Sequence, residues 1–350
     1  MKVQKAELAQ KIGKIKSVVP KKASMPVLQG ILVKDGYLIA NNTEMTVKAK
    51  LEGIESESFI IPAKAFDLIA NLPEGELEIL LGENNMITIK ADKIKNTYQS
   101  SNPETFPVAG ISGENQSELT IKSSVLLESL KRVAYAIPIQ SPNQIMTALC
   151  LQAAGGYLSF VGLDGHVLAW DRVKFEGEFE LLIPKNTVEK LQAVGLSGDV
   201  SIKHGSFGAV FATGDYEIYT RIINGQYFKY QQMFGELPLQ TSINRADFLA
   251  AMVRAKMCTE EKSPVCFQIS EDVMNINIKD KLVDYHETIQ LQEKLTEELI
   301  IGFDAKLVVE TLKAFDCENI KLYLAGPRQP MIVKAEDSEF KAIILPVALR

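Results

Sequence analysis

Three histidines, four cysteines and 44 carboxylates are the side chains of this 350-residue chain that could supply acid, base, nucleophilic or metal chemistry. His166, His204 and His286 lie in three different contexts, none at a metal-ligand spacing from another or from a cysteine. Cys150, Cys258, Cys266 and Cys317 are too scattered for a zinc framework and too few to staple a chain of this length, so they read as reduced core thiols. No Gly-Lys-Ser or Gly-Lys-Thr occurs, no GxGxxG follows a strand, and no GxSxG elbow is present. GSFGAV at Gly205 falls in a hairpin turn, where glycines serve the backbone. The carboxylates are mostly isolated in turns or on solvated faces, so no acid/base pair is identifiable. An enzyme is left without residues to carry it, and neither a metal nor a cofactor is expected. His166, after Asp-Gly at a strand turn, reads as a structural residue. By residue type alone Leu163, Leu168 and Leu345 are ordinary core.

The elements that hold these residues recur. FIIPAKAFDLIANL at Phe59, LLIPKNTVEKLQAV at Leu181 and LIIGFDAKLVVETLKAF at Leu299 each place an apolar run before an amphipathic helix. ELEILLGENNMITIKAD, DVSIKHGSFGAVFATGD and NIKLYLAGPRQPMIVKAED follow them, each alternating, turning and alternating again as a hairpin does. An amphipathic helix opens each third, through Leu8, Ile12, Ile15 and Val19, then Val125, Leu126, Leu130 and Val133, then Phe248, Met252, Val253 and Ala255. Further strands such as GILVKDGYLIANN and ALCLQAAGGYLSFVGLD lie between. The connectors AGISGENQSE (109–118) and GELPLQ (235–240) are rich in breakers, which places domain boundaries at 1–117, 118–238 and 239–350.

The composition, 46% hydrophobic and 23% charged, is that of a globular chain. The charged start, MKVQKAELAQKIGKIK, offers no signal peptide or span, so a soluble cytoplasmic protein without membrane contact is expected. The net charge of −6 argues on its face against nucleic acid, but it is unevenly spread. The six helix windows 5–17, 63–71, 123–135, 185–194, 243–257 and 304–314 together carry +7, leaving −13 for the rest.

MPVLQGILV near the start, LDGHVLAW in the middle, INGQYFKYQQMF near residue 223 and the terminal ILPVALR, set in three αβ repeats, resemble the bacterial β sliding clamp, the processivity factor of the replicative DNA polymerase. The resemblance covers the whole chain. In that family the motifs read LPIL, TDGHRLA, IEGRFPDYRRVIP and MPMRL. The chain departs at Val167 and Ala348, which replace two cleft arginines, and at Asn42 in ANNTE, where the family usually has Asp. Arg350 is an extra cation at the end.

The resemblance implies an α+β fold of three clamp domains, each with two helices packed on β-sheets. It also implies a head-to-tail homodimeric ring with helices inside, sheets outside, and double-stranded DNA threaded without sequence readout. Lys22, Lys64, Gln140 and Lys185 carry over as DNA contacts, and the charge pattern adds the helix residues Lys11, Lys14, Lys131, Arg132, Arg254 and Lys256. A hydrophobic cleft for short linear motifs of the replicative polymerase, clamp loader and repair proteins is implied at Met146, Leu163, Gly165, His166, Val167, Leu168, Pro238, Ile343, Leu345, Pro346 and Val347. The rival reading is a repeat-built scaffold that binds such motifs without encircling DNA.

Overall fold

The computed structural model describes residues 1–53, 58–110, 117–259, 264–279 and 282–349. Arg350 and most of the first connector lie outside them. Among the described residues the order strand, helix, four strands, helix, three strands occurs three times. The first series is β1 (Lys2–Gln4), α1 (Lys5–Ile15), β2 (Gly30–Lys34), β3 (Tyr37–Asn41), β4 (Met45–Lys50), β5 (Phe59–Pro62), α2 (Phe66–Asn71), β6 (Glu76–Leu81), β7 (Met86–Ala91) and β8 (Ile94–Gln99). The second is β9 (Ser117–Lys122), α3 (Ser123–Val133), β10 (Ala148–Ala154), β11 (Tyr157–Leu163), β12 (Val167–Lys174), β13 (Phe179–Pro184), α4 (Lys185–Val194), β14 (Asp199–His204), β15 (Gly208–Ala212) and β16 (Tyr216–Arg221). The third is β17 (Leu239–Asn244), α5 (Arg245–Met257), β18 (Val265–Ser270), β19 (Val273–Lys279), β20 (Asp284–Gln290), β21 (Leu299–Phe303), α6 (Ala305–Lys313), β22 (Asn319–Leu324), β23 (Met331–Ala335) and β24 (Lys341–Ile344).

The chain separates into two compact units, residues 1–127 with 189–222 and residues 128–188 with 223–350. Unit 1 holds a four-stranded sheet, β1-β6-β7-β8, and an eight-stranded sheet, β5-β2-β3-β4-β16-β15-β14-β9. Unit 2 holds β13-β10-β11-β12-β24-β23-β22-β17 and the four-stranded β20-β19-β18-β21. All pairings are antiparallel. Each eight-stranded sheet joins four strands of one series to four of the next, through β4 with β16 and through β12 with β24. Compactness therefore follows the sheets, whereas the sequence repeat follows the chain.

In unit 1, α1 buries Leu8, Ile12 and Ile15, as a 3.6-residue period requires. The helix then tightens into a 3-10 turn over Lys16–Val18, whose three-residue period turns Val18 inward in place of the expected Val19. In unit 2, α5 and α6 start at Asn244 and Asp304, whose side chains accept hydrogen bonds from the amides two and three residues on. They bury Phe248, Ala251, Met252 and Ala255, and Val308, Val309 and Leu312. The expected hairpins form as β6 with β7, β14 with β15 and β22 with β23. The short strand ahead of each opening helix was not expected from the alternation.

Candidate functional site

The turn between β11 and β12 builds one wall of a cleft in unit 2. The Asp164 carboxylate accepts from the amides of His166 and Val167, both at 2.8 Å, and Gly165 between them sits at φ +86°. A side chain there would be strained by the backbone alone, and its Cβ would lie 3.4 Å from Met146 Cε. The His166 carbonyl accepts from the Leu345 amide at 2.8 Å, so the imidazole is exposed while its backbone ties the turn to the chain end. Two residues on, the Val347 amide bonds the Gly302 carbonyl at 2.8 Å.

The cleft encloses about 370 Å³ and is lined by Met146, Leu163, Gly165, His166, Val167, Leu168, Phe228, Met233, Pro330, Ile343 and Leu345. Its walls are almost wholly apolar. Eight of the residues expected from the sequence meet here. Pro346 and Val347 line an adjoining groove of about 540 Å³ with Ile300, Pro327, Arg328, Ala348 and Leu349, and Pro238 lines neither. Phe228, Met233 and Pro330 were not anticipated. The first two belong to the connector 223–237, within the quoted segment INGQYFKYQQMF, and the third ends the β22–β23 turn. The connector is held on the sheet by aromatic packing: Tyr230 lies 5.0 Å edge-on to Trp170, Phe234 lies 5.4 Å from it, and the Tyr230 hydroxyl donates to Gln152 Oε1 at 2.8 Å. Burial pushes the Tyr230 phenol up to about 12, so it stays a donor throughout the working range.

The candidate DNA-contacting residues divide by what else they do. Lys22, Lys64, Lys131, Gln140 and Lys256 are exposed, and their side chains make no hydrogen bond or ion pair among the described residues. Lys11 donates to the Lys50 carbonyl and pairs with Glu7 at 3.2 Å, Lys14 donates to the Ala193 carbonyl at 3.3 Å, and Lys185 donates to the Ile137 carbonyl. Arg254 is exposed but forks onto Glu287, with Nε at 3.0 Å from Oε2, and this guanidinium holds the Glu287 carboxyl below its usual range. Arg132 is the most committed: its Nη1 is 3.3 Å from buried Asp171, its Nη2 is 2.5 Å from Glu128, and its side chain is only 17% exposed. Arg132 and Arg254 are ties within unit 2, which a charge count cannot distinguish from free cations.

Comparison with known proteins decides the relationship. Residues 1–110 match the family model of the DNA polymerase III beta subunit, N-terminal domain, and residues 238–348 match that of its C-terminal domain, together more than half the chain. The chain belongs to the beta sliding clamp family. It is 22% identical to the beta sliding clamp of Staphylococcus epidermidis, over 95% of this chain and 94% of that one. It is 23% identical to that of Synechococcus elongatus, over 98% of each. The solved DNA polymerase sliding clamp of Bacillus subtilis superposes with a TM-score of 0.93 at 18% identity, covering 100% of this chain and 99% of the other. A Pseudomonas aeruginosa sliding clamp bound to griselimycin superposes equally well at 21% identity, with the same coverage.

Within this clamp chain the cleft-forming turn is used a second time, with different side chains. In unit 1 Asn42 Oδ1 accepts from the amides of Glu44 and Met45, at 3.1 and 2.8 Å, and Thr43 takes the left-handed position at φ +77°. The Glu44 carbonyl accepts from Arg221 N at 2.9 Å, as that of His166 accepts from Leu345. Asn42 thus does the work of Asp164, so its departure from the family's usual Asp leaves the turn intact. Glu44 stands for His166, Arg221 for Leu345 and Asn41 for Leu163, and Asn41 Nδ2 donates to the Pro107 carbonyl at 2.7 Å. Among the described residues no set of His, Cys, Asp or Glu is grouped to hold a metal, the four cysteines are unbridged, and no helix is long and apolar enough to cross a membrane.

Proposed function

We propose that this chain is a non-catalytic DNA sliding clamp: a homodimeric ring that encircles duplex DNA without reading its sequence. In the cytoplasm it tethers the replicative polymerase, clamp loader and repair proteins by short apolar peptide motifs held in the unit 2 cleft. The division into domains 1–117, 118–238 and 239–350 is part of the same proposal, supported by the recurring element order.

The observation that carries it is the use of strand edges. Series one and two join by β4 with β16, and series two and three by β12 with β24, leaving β8 and β20, each at one end of a four-stranded sheet, without such a partner. By position in the series, β20 is an edge of the β4 type and β8 an edge of the β16 type. A second copy placed head to tail satisfies both, and two such joints close a ring in which neither β8 nor β20 is left unpaired. The register follows. Ala49 faces Tyr216 in the first joint, and the β3–β4 and β19–β20 hairpins match Ala49 to Ile289. The β15–β16 and β7–β8 hairpins match Tyr216 to Ile94, so Ile289 of one copy meets Ile94 of the other.

Exposed Lys22, Lys64, Lys131 and Lys256, with Gln140, supply phosphate contacts that position DNA without fixing sequence. The test is retention after loading onto circular DNA. A clamp stays on closed circles and runs off once they are linearised; equal retention on both forms refutes topological binding and favours a scaffold.

A further inference from the structure

Beneath the connector 223–237 lies a lysine that no part of the proposed clamp cycle uses. Lys341, on β24, sits between Trp170 of β12 and Lys334 of β23 in the sheet register. Its Nζ is 3.8 Å from the centre of the Trp170 ring and 4.5 Å from that of Phe234, so the ammonium fastens the end of the connector to the sheet through two aromatic faces. No carboxylate pairs with it among the described residues. The neighbouring Glu339 is engaged by Arg172, at 2.8 Å from Nε and 2.7 Å from Nη2. Arg172 itself lies over Tyr157 and beside Trp170, at 4.4 and 5.6 Å, and Lys334 lies 4.4 Å over Tyr323. Lys341 is thus the middle one of three cations in an aromatic layer, half-buried and without a counter-ion.

We propose that Lys341 is a site of acylation by small activated acyl donors, acyl phosphates in particular, and that its modification frees the connector from the sheet. The chemistry follows from the surroundings. Burial, with the charges of Arg172 and Lys334, pulls the Lys341 pKa down to about 8 against the opposing pull of Glu339. At pH 7.5 about a quarter of such an amine is unprotonated, against roughly a thousandth of an ordinary lysine. The neutral Nζ attacks the acyl carbon, the amide C–N bond forms, the C–O bond to phosphate breaks, inorganic phosphate leaves, and the nitrogen's proton passes to water. The product has lost its charge, and with it the attraction to both rings, while its acyl group needs room where Phe234 lies. The same connector carries Phe228 and Met233 into the cleft wall, so the modification reaches the cleft without touching it.

The full-length protein is treated with acetyl phosphate from pH 6.5 to 9.5, and site-resolved acetylation is followed by mass spectrometry. Lys341 is expected to react about tenfold faster at pH 7.5 than exposed Lys22 and Lys64, with a rate that levels off above about pH 8 while theirs continue to climb. Lys334→Gln, which removes one crowding cation, moves the levelling to higher pH. Trp170 is the chain's single tryptophan, so its fluorescence should titrate with the same midpoint and lose that titration in Lys341→Gln. Brief trypsin treatment should cut after Lys229 several-fold faster in the acetylated protein and in Lys341→Gln. A Lys341 rate no higher than that of Lys22 and Lys64 overturns the assignment of the site. Unchanged cleavage after Lys229 in both modified forms overturns release of the connector.

Discussion

Replacing Arg132 by alanine separates a structural tie from a DNA contact. Asp171 is 1% exposed, and its carboxylate has three partners: Arg132 Nη1 at 3.3 Å, the Arg172 amide at 3.0 Å and the Ser129 hydroxyl. Burial raises the Asp171 pKa, and Ser129 and Arg132 oppose it. Removing one member of a buried pair costs about 3–5 kcal/mol, because the other charge is left in the interior. The partial exposure of Arg132 and its long contact reduce this to roughly 2–4 kcal/mol here. For a unit of roughly 190 residues, with an unfolding entropy near 2.1 cal/mol/K per residue, that is a fall in Tm of about 5–10 °C.

The pH dependence has a definite sign. Without Arg132 the folded-state pKa of Asp171 rises further above its unfolded value, so the folded state binds the proton more tightly. The variant's deficit is therefore smallest near the unfolded pKa, about 4, and grows as pH rises through the folded pKa. Asp171→Asn in the same background should recover most of the loss, since it removes the buried charge and its Oδ1 still accepts from the Arg172 amide. Thermal and urea denaturation of the two single variants and the double variant, from pH 4 to 8, make the measurement. An Arg132→Ala protein that melts within about 1 °C of the parent but binds DNA more weakly would refute the reasoning and make Arg132 a DNA contact.

Ile94→Asp places a carboxylate opposite Ile289 at the proposed joint; Ile94 is 38% exposed within its own chain, so folding should be retained while sedimentation shifts from dimer to monomer. Leu345→Ala and Met233→Ala each remove a half-exposed wall of the cleft, and fluorescence anisotropy with a peptide anchored by leucine and phenylalanine should weaken about 5–10-fold for each, or roughly 1–1.4 kcal/mol. Changing Lys22, Lys64, Lys131 and Lys256 together to glutamine should reduce the salt dependence of DNA affinity by up to about four phosphate contacts, whereas Arg254→Gln, whose cation already holds Glu287, should change it little.

The repeat was legible because apolar period and turn chemistry are local. Pro62, Pro184 and Phe303 close the matching runs, and Gly82 and Gly205 mark hairpins that form where the alternation puts them. Val19 was misplaced because the 3-10 turn over Lys16–Val18 changes the period at the helix end, which no pattern tuned to 3.6 residues registers. The cleft turn was legible as Asp-Gly-His, with its geometry fixed by Asp164. Phe228, Met233 and Pro330 were not, because they reach the site by a connector whose path is set by Trp170, Tyr230 and Phe234, and by a hairpin turn far along the chain from it. Charge counting found the basic helices but not the carboxylates of Asp171 and Glu287 that occupy Arg132 and Arg254.

The joint between series is a generic device, and side chains decide what each copy does. In both units an Asx turn at the start of the joining strand bonds the backbone at the end of the partner strand, at its last residue Arg221 in unit 1 and one residue past it at Leu345 in unit 2. With Leu163, His166 and Leu345 around that turn, and Phe228 and Met233 laid beside it, the backbone frames an apolar trough whose desolvation favours a peptide's leucine or phenylalanine. With Asn41, Glu44 and Arg221 at the corresponding positions, the same frame presents two charged side chains and an amide already bonded to Pro107, and an apolar anchor placed there would displace water from charges it cannot satisfy. Sequence change at a few positions thus turns one of two equivalent joints into the proposed binding site while both keep the strand pairing. Changing Asn41, Glu44 and Arg221 to Leu, His and Leu should test whether those side chains suffice: weak peptide binding gained in unit 1 would mean that they do, and none would assign the decisive part to the connector that carries Phe228 and Met233.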